Sequence, residues 1–236
     1  MRSLFAKLIL TLIMCLSGAC DFSSHSSNNS DATVSVTPQL TGTIDVQPQP
    51  FRLQLNSGGK ILVQQCGPIQ LSRPDGSVDE LLALLEQRME ENETIYDVAT
   101  QSGEKVTVAV FTTDASSFRV SLSSSNVTAV SVGLCLESGE LIYGLTERLR
   151  DSAVLNPLLH GPMVEDFSPD AVSSLNRRGE MVEMFVRPTV SLYAPFYHSS
   201  RGYGLWVEGS HPGVFDVGAS IGDELRFRME TTEDRG

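Results

Sequence analysis

The chain has 236 residues, of which 41% are hydrophobic and 19% charged, so it is long enough for one folded domain or two small ones. Its 29 acidic and 17 basic residues give a net charge of −12. Such an acidic chain lacks the clustered cations that nucleic acids and anionic membrane surfaces require, so neither is a predicted partner. The length excludes a complete (β/α)₈ barrel enzyme with accessory domains, because the barrel alone takes about 250 residues.

The N-terminus is typical of an export signal. Arg2 and Lys7 stand at the start of an apolar run over residues 8–16, and small residues follow it before Cys20. A short apolar core behind a basic start indicates a secretory leader, residues 1–20, rather than a spanning helix. The end of the leader resembles a bacterial lipobox, in which Cys20 is lipidated and anchors the protein on the periplasmic or cell-surface side. Cleavage without lipidation, giving a soluble secreted protein, is the alternative.

Two further features concern the chain after the leader. Residues 21–48 lack periodicity and are rich in Ser, Asn and Thr, so we expect a disordered tether followed by one domain over 49–236. Cys66 and Cys135 are the cysteines left in that domain, and they are not in a C-x-x-C spacing. In an oxidising compartment they can pair, and two buried free thiols are the alternative.

The domain is predicted to be mainly β, as an antiparallel sandwich. Alternating apolar and polar residues recur in short segments separated by turn residues, which is typical of that architecture. No β-α-β rhythm is visible. The predicted strands cover 51–55, 61–63, 105–112, 117–123, 127–136, 140–145, 180–190, 191–198, 202–209 and 224–231.

One segment has a different period. The sequence Ser77-Val78-Asp79-Glu80 has the form of a helix capping box, and apolar residues follow at helical spacing. We therefore predict one amphipathic helix over about Val78–Glu91 that covers the sheet, with a partner-binding helix as the alternative.

Residue types that carry chemistry give little support for a catalytic centre. There is no Gly-x-Ser-x-Gly nucleophile elbow and no phosphate-binding glycine loop, and no cofactor is predicted. His198, His211 and Asp216 lack the spacing of a metal-ligand set, so no metal site is predicted. Carboxylates for glycoside hydrolysis are available in the irregular stretch 149–179 and just before it, but in so acidic a chain their proximity is weak evidence. They are Glu147, Asp151, Glu165, Asp166 and Asp170.

The segment 195–207 is the most unusual stretch, because aromatic residues surround a glycine-flanked turn and include Trp206, the single tryptophan. Aromatic rings can stack on the C–H faces of sugars, so the segment suggests a carbohydrate-facing patch. The alternative, which we favour on residues alone, is that Tyr203, Leu205 and Val207 are core and Trp206 packs on the opposite face.

Four motifs together resemble glycoside hydrolase family 31, the α-glucosidase and α-xylosidase group. Residues 195–204 match its PF-x-x-SSRGYG segment, and 143–148 match its YGLGER motif with Thr146 in place of glycine. Residues 50–53 and 213–218 match the opening strand and the strand after SSRGYG. The motifs occur in family order over about residues 49–220.

The resemblance implies a fold and an incomplete enzyme. These motifs belong to the family's N-terminal β-sandwich, of galactose-mutarotase-like type, which precedes a catalytic barrel that supplies both catalytic aspartates. Neither nucleophile motif of the family occurs here, so the chain is expected to lack catalytic residues, to be inactive alone and to be truncated before its barrel. The family motif supplies mainly structural residues: Tyr143, Gly144, Ser200, Arg201, Gly202, Tyr203 and Gly204.

The resemblance also implies a substrate-facing loop after the YGLGER motif, which here carries Glu147, Arg148, Asp151, His160 and Asp166. The expected function is therefore a non-catalytic, carbohydrate-facing domain, with carbohydrate and a barrel domain as partners and a membrane only through the lipid anchor. A stand-alone carbohydrate-binding lipoprotein is the alternative. An aldose epimerase is a third hypothesis, since mutarotases share the fold, but no convincing acid–base pair supports it.

Overall fold

The computed structural model describes residues 5–14, 42–114, 116–146, 175–185, 193–209 and 211–231. The described chain consists of β-strands and connecting turns and contains no helix, which confirms the prediction of a mainly β, antiparallel protein. The strands are β1 (Phe5–Met14), β2 (Gly42–Pro48), β3 (Phe51–Ser57), β4 (Lys60–Gln64), β5 (Gln70–Ser72), β6 (Val78–Glu90), β7 (Glu93–Thr100), β8 (Lys105–Asp114), β9 (Ser117–Ser125), β10 (Ala129–Cys135), β11 (Ile142–Thr146), β12 (Glu180–Met184), β13 (Tyr193–Ser199), β14 (Tyr203–Glu208), β15 (Gly213–Val217) and β16 (Glu224–Glu230).

The strands form two antiparallel sheets. The larger has 13 strands in the order β11-β13-β14-β1-β9-β8-β7-β6-β5-β10-β16-β15-β12, and the smaller contains β2, β3 and β4. The larger sheet is folded over, because Tyr197 of β13 packs edge-on against Phe215 of β15 with ring centroids 6.4 Å apart. Strands from opposite ends of the sheet order therefore share one core, to which Phe51 and Leu55 of the smaller sheet also contribute.

Most predicted strands are confirmed, including the hairpin β3–β4 and the pair β13–β14. The sequence pattern missed β7, and its burial explains why. Residues 95–98 of β7 are buried in succession, so the strand shows no alternation of apolar and polar residues. The part of the predicted strand 180–190 beyond residue 185 lies outside the described residues.

The predicted helix over Val78–Glu91 is wrong, because the segment is strand β6. β6 pairs with β7 along most of its length and with β5 at its first three residues. Two register irregularities, between Leu81 and Ala83 and between Leu84 and Glu86, interrupt the ladder. A bulge inserts an extra residue, so Leu81 and Leu84 can both contact the core although they are three apart. The other apolar residues at the predicted helical spacing, Val78, Leu82, Leu85 and Met89, are exposed, so that spacing did not reflect burial of one face.

The residues of the apparent capping box have other partners. Ser77 donates from both its hydroxyl and its backbone N–H to Asp75, which closes a turn. Asp79 is buried and accepts hydrogen bonds from Arg73 and Ser102. Burial alone would raise the pKa of Asp79, but these hydrogen bonds outweigh it and lower that pKa. The carboxylate therefore joins two loops instead of capping a helix.

Two strands lie in the N-terminal part of the chain, within the segments predicted to be leader and tether. Strand β2 begins at Gly42, so the folded part starts seven residues before the predicted start at 49; Ile44 and Val46 explain this by packing on the core. Residues 5–14 of the predicted leader form β1, which pairs with β14 on one side and β9 on the other. Cys20 lies outside the described residues. The described part of the chain has no helix long and apolar enough to cross a membrane.

A disulfide joins Cys66 to Cys135, which decides between the two alternatives for these cysteines. Cys66 follows β4 and Cys135 ends β10, and Gln65 forms an isolated bridge with Leu134 beside them. The bond therefore fastens the three-stranded sheet to the larger one.

We predict that replacing both cysteines by alanine lowers the free energy of unfolding by about 4 kcal/mol, because the bond closes a loop with a sequence separation of 69. Urea unfolding of the double variant and of the oxidised protein measures the difference. As a control, a reducing agent should lower the stability of the parent protein by a similar amount and leave the double variant unchanged. Equal stability of the oxidised and reduced parent would contradict the prediction.

Candidate functional site

The turn between β13 and β14 carries the SSRGYG segment and organises the region around it. Gly202 has a φ of 87°, a conformation that favours glycine, and its N–H donates to the carbonyl of Ser199. The N–H of Ser200 donates to the Leu141 carbonyl, and the Ser200 hydroxyl accepts from the Leu141 N–H. The turn is thereby joined in both directions to the segment that leads into β11.

A buried carboxylate lies under this turn. Glu140 is only 2% exposed. Its Oε1 accepts hydrogen bonds from the hydroxyls of Ser199 and Tyr203, the latter at 2.8 Å, and its Oε2 accepts from the N–H of Glu137 at 2.9 Å. These donors supply part of the stabilisation that a carboxylate loses when it leaves water. Sequence reasoning did not single out Glu140, because it gives no motif signal beyond following a Ser-Gly turn.

The same burial affects two tyrosines. Burial raises the pKa of Tyr203, and the neighbouring Glu140 carboxylate raises it further. Burial also raises the pKa of Tyr197 well above its usual range. The Tyr197 ring meets that of Tyr203 edge-on, with centroids 6.1 Å apart. Both phenols therefore remain neutral at physiological pH, and Tyr203 acts as a fixed hydrogen-bond donor.

Three arginines tie this turn to its surroundings. The Arg201 guanidinium donates to the carbonyls of Ile61 and Leu62, so the turn holds β4 of the smaller sheet. Arg178 donates to the carbonyls of Glu137 and Glu140 at 2.7 and 3.0 Å. Arg177 donates to the Gly144 carbonyl. Family-motif residue Arg201 therefore has a positioning role, and Arg177 and Arg178 extend it to β11.

Two motif glycines permit close packing of β13 against its neighbours. A Cβ on Gly144, whose φ is 112°, would lie 2.6 Å from the backbone oxygen of Phe196. A Cβ on Gly204 would lie 2.9 Å from the Phe196 ring, which therefore covers this position. Leu145 is buried and has a φ of 73°, so β11 is bent where its register with β13 shifts. The bend lies directly before the predicted substrate-facing loop.

The opposite face of the same strands carries a row of aromatic side chains, which we call the outer aromatic row: Tyr143, His198, Phe196 and Trp206. Tyr143 and His198 stand opposite each other on β11 and β13, and their rings stack at 5.4 Å between centroids. The centroids of His198 and Phe196 are 6.4 Å apart, and Phe196 is paired with Trp206 on β14. Trp206 is 44% exposed.

The strand alternation predicted for 203–207 is confirmed. Tyr203, Leu205 and Val207 are buried, and Trp206 lies on the other face. At the margin of the row, Arg119 of β9 forms an ion pair with Glu208 of β14 at 2.9 Å. The outer face therefore combines exposed and half-buried rings with a charged donor and a charged acceptor.

Two cavities provide other candidate sites. One is an apolar void of about 70 Å³ in the core beside Gln65, which is too small and too apolar for a sugar. The other is a groove of about 310 Å³ on the outer face of β5, β10, β15 and β16, where Asp216, Arg226 and Arg228 are among the lining residues. Its lining mixes these charged residues with apolar ones such as Met181 and Val214, and it includes no aromatic ring.

The other predicted residues are placed as follows. Glu147, Arg148, Asp151, His160 and Asp166 lie outside the described residues, as do Glu165 and Asp170. His198 belongs to the outer aromatic row, and Asp216 accepts from the backbone N–H groups of Ala219 and Ser220. Within the described ranges no group of three or more His, Cys, Asp or Glu side chains could hold a metal ion.

Comparison with known protein families and with curated proteins finds no match. Among solved structures the chain resembles a sulfoquinovosidase of glycoside hydrolase family 31 from E. rectale, with a TM-score of 0.43 and 10% identity over 82% of this chain and 26% of that one. It also resembles the cycloalternan-forming enzyme from Listeria monocytogenes in complex with a pentasaccharide substrate, with a TM-score of 0.46 and 10% identity over 95% and 26% of the two chains. A cycloalternan-degrading enzyme from Trueperella pyogenes gives 0.32 and 12% over 80% and 32%.

The chain thus spans about a quarter to a third of the length of these enzymes.

We predict that Gly144→Ala destabilises the protein by about 1–3 kcal/mol, because an alanine there is strained by its φ and also meets the Phe196 backbone. Thermal or urea unfolding measures the loss. Gly76→Ala is the matched control, because Gly76 also has a positive φ, 84°, but nothing lies within 4 Å of its added Cβ. If the two variants lost equal stability, the close approach would contribute nothing.

We also predict that Tyr203→Phe lowers stability by about 1–2 kcal/mol at neutral pH, because Glu140 loses a buried donor. The raised pKa of Tyr203 adds a pH dependence. Below about pH 10 the phenol is neutral in both states, and above it the unfolded chain ionises first, so the stability of the parent falls as the pH rises. The difference in the free energy of unfolding between the parent and Tyr203→Phe should therefore become smaller above pH 10.

Urea unfolding between pH 7 and 11.5 measures this difference in free energy. Tyr143→Phe, on the outer face, serves as the control, and its free energy of unfolding should depend on pH as that of the parent does. If the free energy of unfolding fell equally with pH for the parent and for Tyr203→Phe above pH 10, Tyr203 would not be the source of the pH dependence.

Proposed function

We propose that this chain is a non-catalytic, carbohydrate-facing β-sandwich domain of the galactose-mutarotase-like type found at the N-terminus of family 31 glycoside hydrolases. The observation that carries the proposal is the outer aromatic row, which displays rings to solvent on strands that also contain the family motif. The buried position of the motif turn supports the structural part of the proposal. Tyr203 donates to the buried Glu140, and Arg201 donates to the carbonyl of Leu62 in the smaller sheet.

The row needs a physical reason, because Trp206 and His198 are exposed and the half-buried rings of Tyr143 and Phe196 adjoin them, and such a surface favours binding. Tyr143, His198, Phe196 and Trp206 cross three neighbouring strands, which spans about 10 Å at the usual strand spacing. Rings of this kind bind flat apolar faces, and a sugar ring offers such a face through its C–H bonds. The length of the row fits a short oligosaccharide better than a single ring.

Polar groups beside the rings would provide orientation. Arg119 and Glu208 lie at the margin of the row and offer N–H donors and carboxylate acceptors to sugar hydroxyls. The groove near Arg228 offers similar polar groups but no ring to stack on, so we assign the sugar to the aromatic row.

The buried side of the motif supports a second part of the proposal. Glu140, directly before β11, accepts from Ser199 of β13 and Tyr203 of β14, and Arg177 donates to the Gly144 carbonyl of β11. β11 leads directly into the predicted loop that begins at Glu147. We propose that this arrangement positions the loop, with Glu147, Arg148, Asp151, His160 and Asp166 facing substrate. In this proposal the catalytic aspartates belong to a barrel domain and the chain itself performs no hydrolysis.

The proposed location is outside the cytoplasm, with Cys20 lipidated. The Cys66–Cys135 disulfide favours this location, because such bonds form and persist in oxidising compartments and are rare in the cytosol. A stand-alone carbohydrate-binding lipoprotein is the second candidate, and the exposure of Trp206 favours it because the row is accessible without a partner domain.

We predict that maltose- and xylose-type oligosaccharides change the fluorescence of Trp206, which is the only tryptophan and is 44% exposed. Stacking removes water from the indole, so binding should shift its emission to shorter wavelength and give a saturable titration. Because Trp206→Ala removes this signal, its affinity is measured by calorimetry; we expect binding about tenfold weaker, from a loss of about 1.5 kcal/mol. Met89→Ala, which is exposed on β6 away from the row, is the matched control and should bind normally.

No heat and no fluorescence change across a broad oligosaccharide panel would refute the binding site. A separate assay tests the non-catalytic role: the purified chain should release no p-nitrophenol from α-glucoside or α-xyloside substrates, and turnover that persists through purification would overturn that part. Binding by the chain alone is expected for both candidates. Affinity that rises when a catalytic barrel domain is added supports the ancillary domain, whereas affinity that the barrel leaves unchanged supports the stand-alone candidate.

A further inference from the structure

Strand β1 occupies an unusual place for a segment that has the composition of an export leader. It lies inside the larger sheet, with β9 on one side and β14 on the other, and not at an edge. Its backbone is in register with β9 from Phe5 to Ile13 and with β14 from Ile9 to Met14. Among the strands that the structure describes, neither neighbour has another partner along these edges, so β1 completes the sheet at this point.

The strands on either side present a continuous apolar surface to the core. The residues of β9 and β14 that stand opposite positions 8, 10 and 12 of β1 are all buried, whereas those opposite positions 9 and 11 are polar or exposed. The leader has leucine at 8, 10 and 12 and isoleucine and threonine at 9 and 11. The buried residues are Phe118, Val120, Leu122, Leu205 and Val207.

The ion pair at the outer face shows that the gap has the width of one strand. Arg119 and Glu208 belong to the two strands that flank β1, and their side chains meet at 2.9 Å. Strands separated by one other strand lie about 10 Å apart, whereas directly paired strands lie about 4.8 Å apart. Two long side chains that meet at their ends fit strands about 10 Å apart. The space between β9 and β14 can therefore hold one additional strand, and we call it a strand-acceptor site.

We infer that the gap between β9 and β14 is a strand-acceptor site whose ligand is the chain's own apolar leader segment, Phe5–Met14. The same ten residues therefore serve either as a strand of the folded domain or as the apolar run of the export signal, because a segment that is hydrogen-bonded on both edges is not available to an export receptor. A chain that folds before export withholds its leader. The inference concerns the chain that still carries residues 1–20, before the cleavage that the proposed lipidation of Cys20 requires. It shares Arg119 and Glu208 with the proposed sugar site but does not involve the aromatic rings.

Hydrogen exchange of the full-length chain, measured by mass spectrometry, tests the inference. Cys20→Ser is introduced to prevent lipid attachment and to retain the leader. We expect amides of residues 6–13 to exchange at least about a hundredfold more slowly than in an isolated peptide of the same sequence, as for other core strands. Exchange at the rate of the free peptide would overturn the inference, whatever the outcome of the sugar titrations.

A pair of variants locates the effect in the gap. Leu10→Pro removes a backbone donor from the middle of β1, so peptides covering 117–125 and 203–208 should lose protection, whereas Leu10→Val should leave them protected. A synthetic peptide of residues 5–14 added to the Leu10→Pro chain should restore protection, and the same peptide with proline at position 10 should not. Protection of β9 and β14 that is unchanged in Leu10→Pro would show that the two strands close on each other, and would also overturn the inference.

Discussion

The packing around the SSRGYG turn depends on one buried carboxylate. Glu140 has almost no contact with solvent, so its charge requires hydrogen-bond donors that the protein holds in place. Ser199 and Tyr203 provide two of them from the two ends of one turn, and the backbone of Glu137 provides a third. The position of the turn is therefore fixed relative to β11, and Arg201 extends this constraint to the smaller sheet through the carbonyls of β4.

In strands β13 and β14 alternate side chains point to opposite faces of the sheet, so one face contributes to the core and the other forms a surface. Their inward residues, such as Tyr197 and Ser199, belong to the core and to the Glu140 hydrogen bonds. Their outward residues, Phe196, His198 and Trp206, make the outer aromatic row. A single short motif can thus fix the fold on one face and present rings on the other. Changes to outward residues would alter the surface at little cost to the core.

The sequence predicted those parts of the protein in which local pattern and tertiary structure agree. Hairpins such as β3–β4 and β13–β14 have alternating residues and turn signals, so they were found. β6 was mistaken for a helix because its apolar residues fall at helical spacing although most of them are exposed. β7 was missed because its residues 95–98 are buried in succession and show no alternation. Of the site, the motif residues around Tyr203 were identified, but Glu140 was not, since only its burial distinguishes it from other acids in an acidic chain.

During synthesis of the chain, β1 must wait for its two partner strands to be translated. β1 is made first, but its partners end at Ser125 and Glu208, so its second edge cannot be paired until most of the chain has been translated. At about 5–20 residues per second, that interval is on the order of ten seconds or more. During this interval the N-terminal segment is exposed on the ribosome while the later strands are still missing. The long-range pairing therefore acts as a delay, and the speed of translation decides how long the segment stays without its second partner strand before the sheet closes.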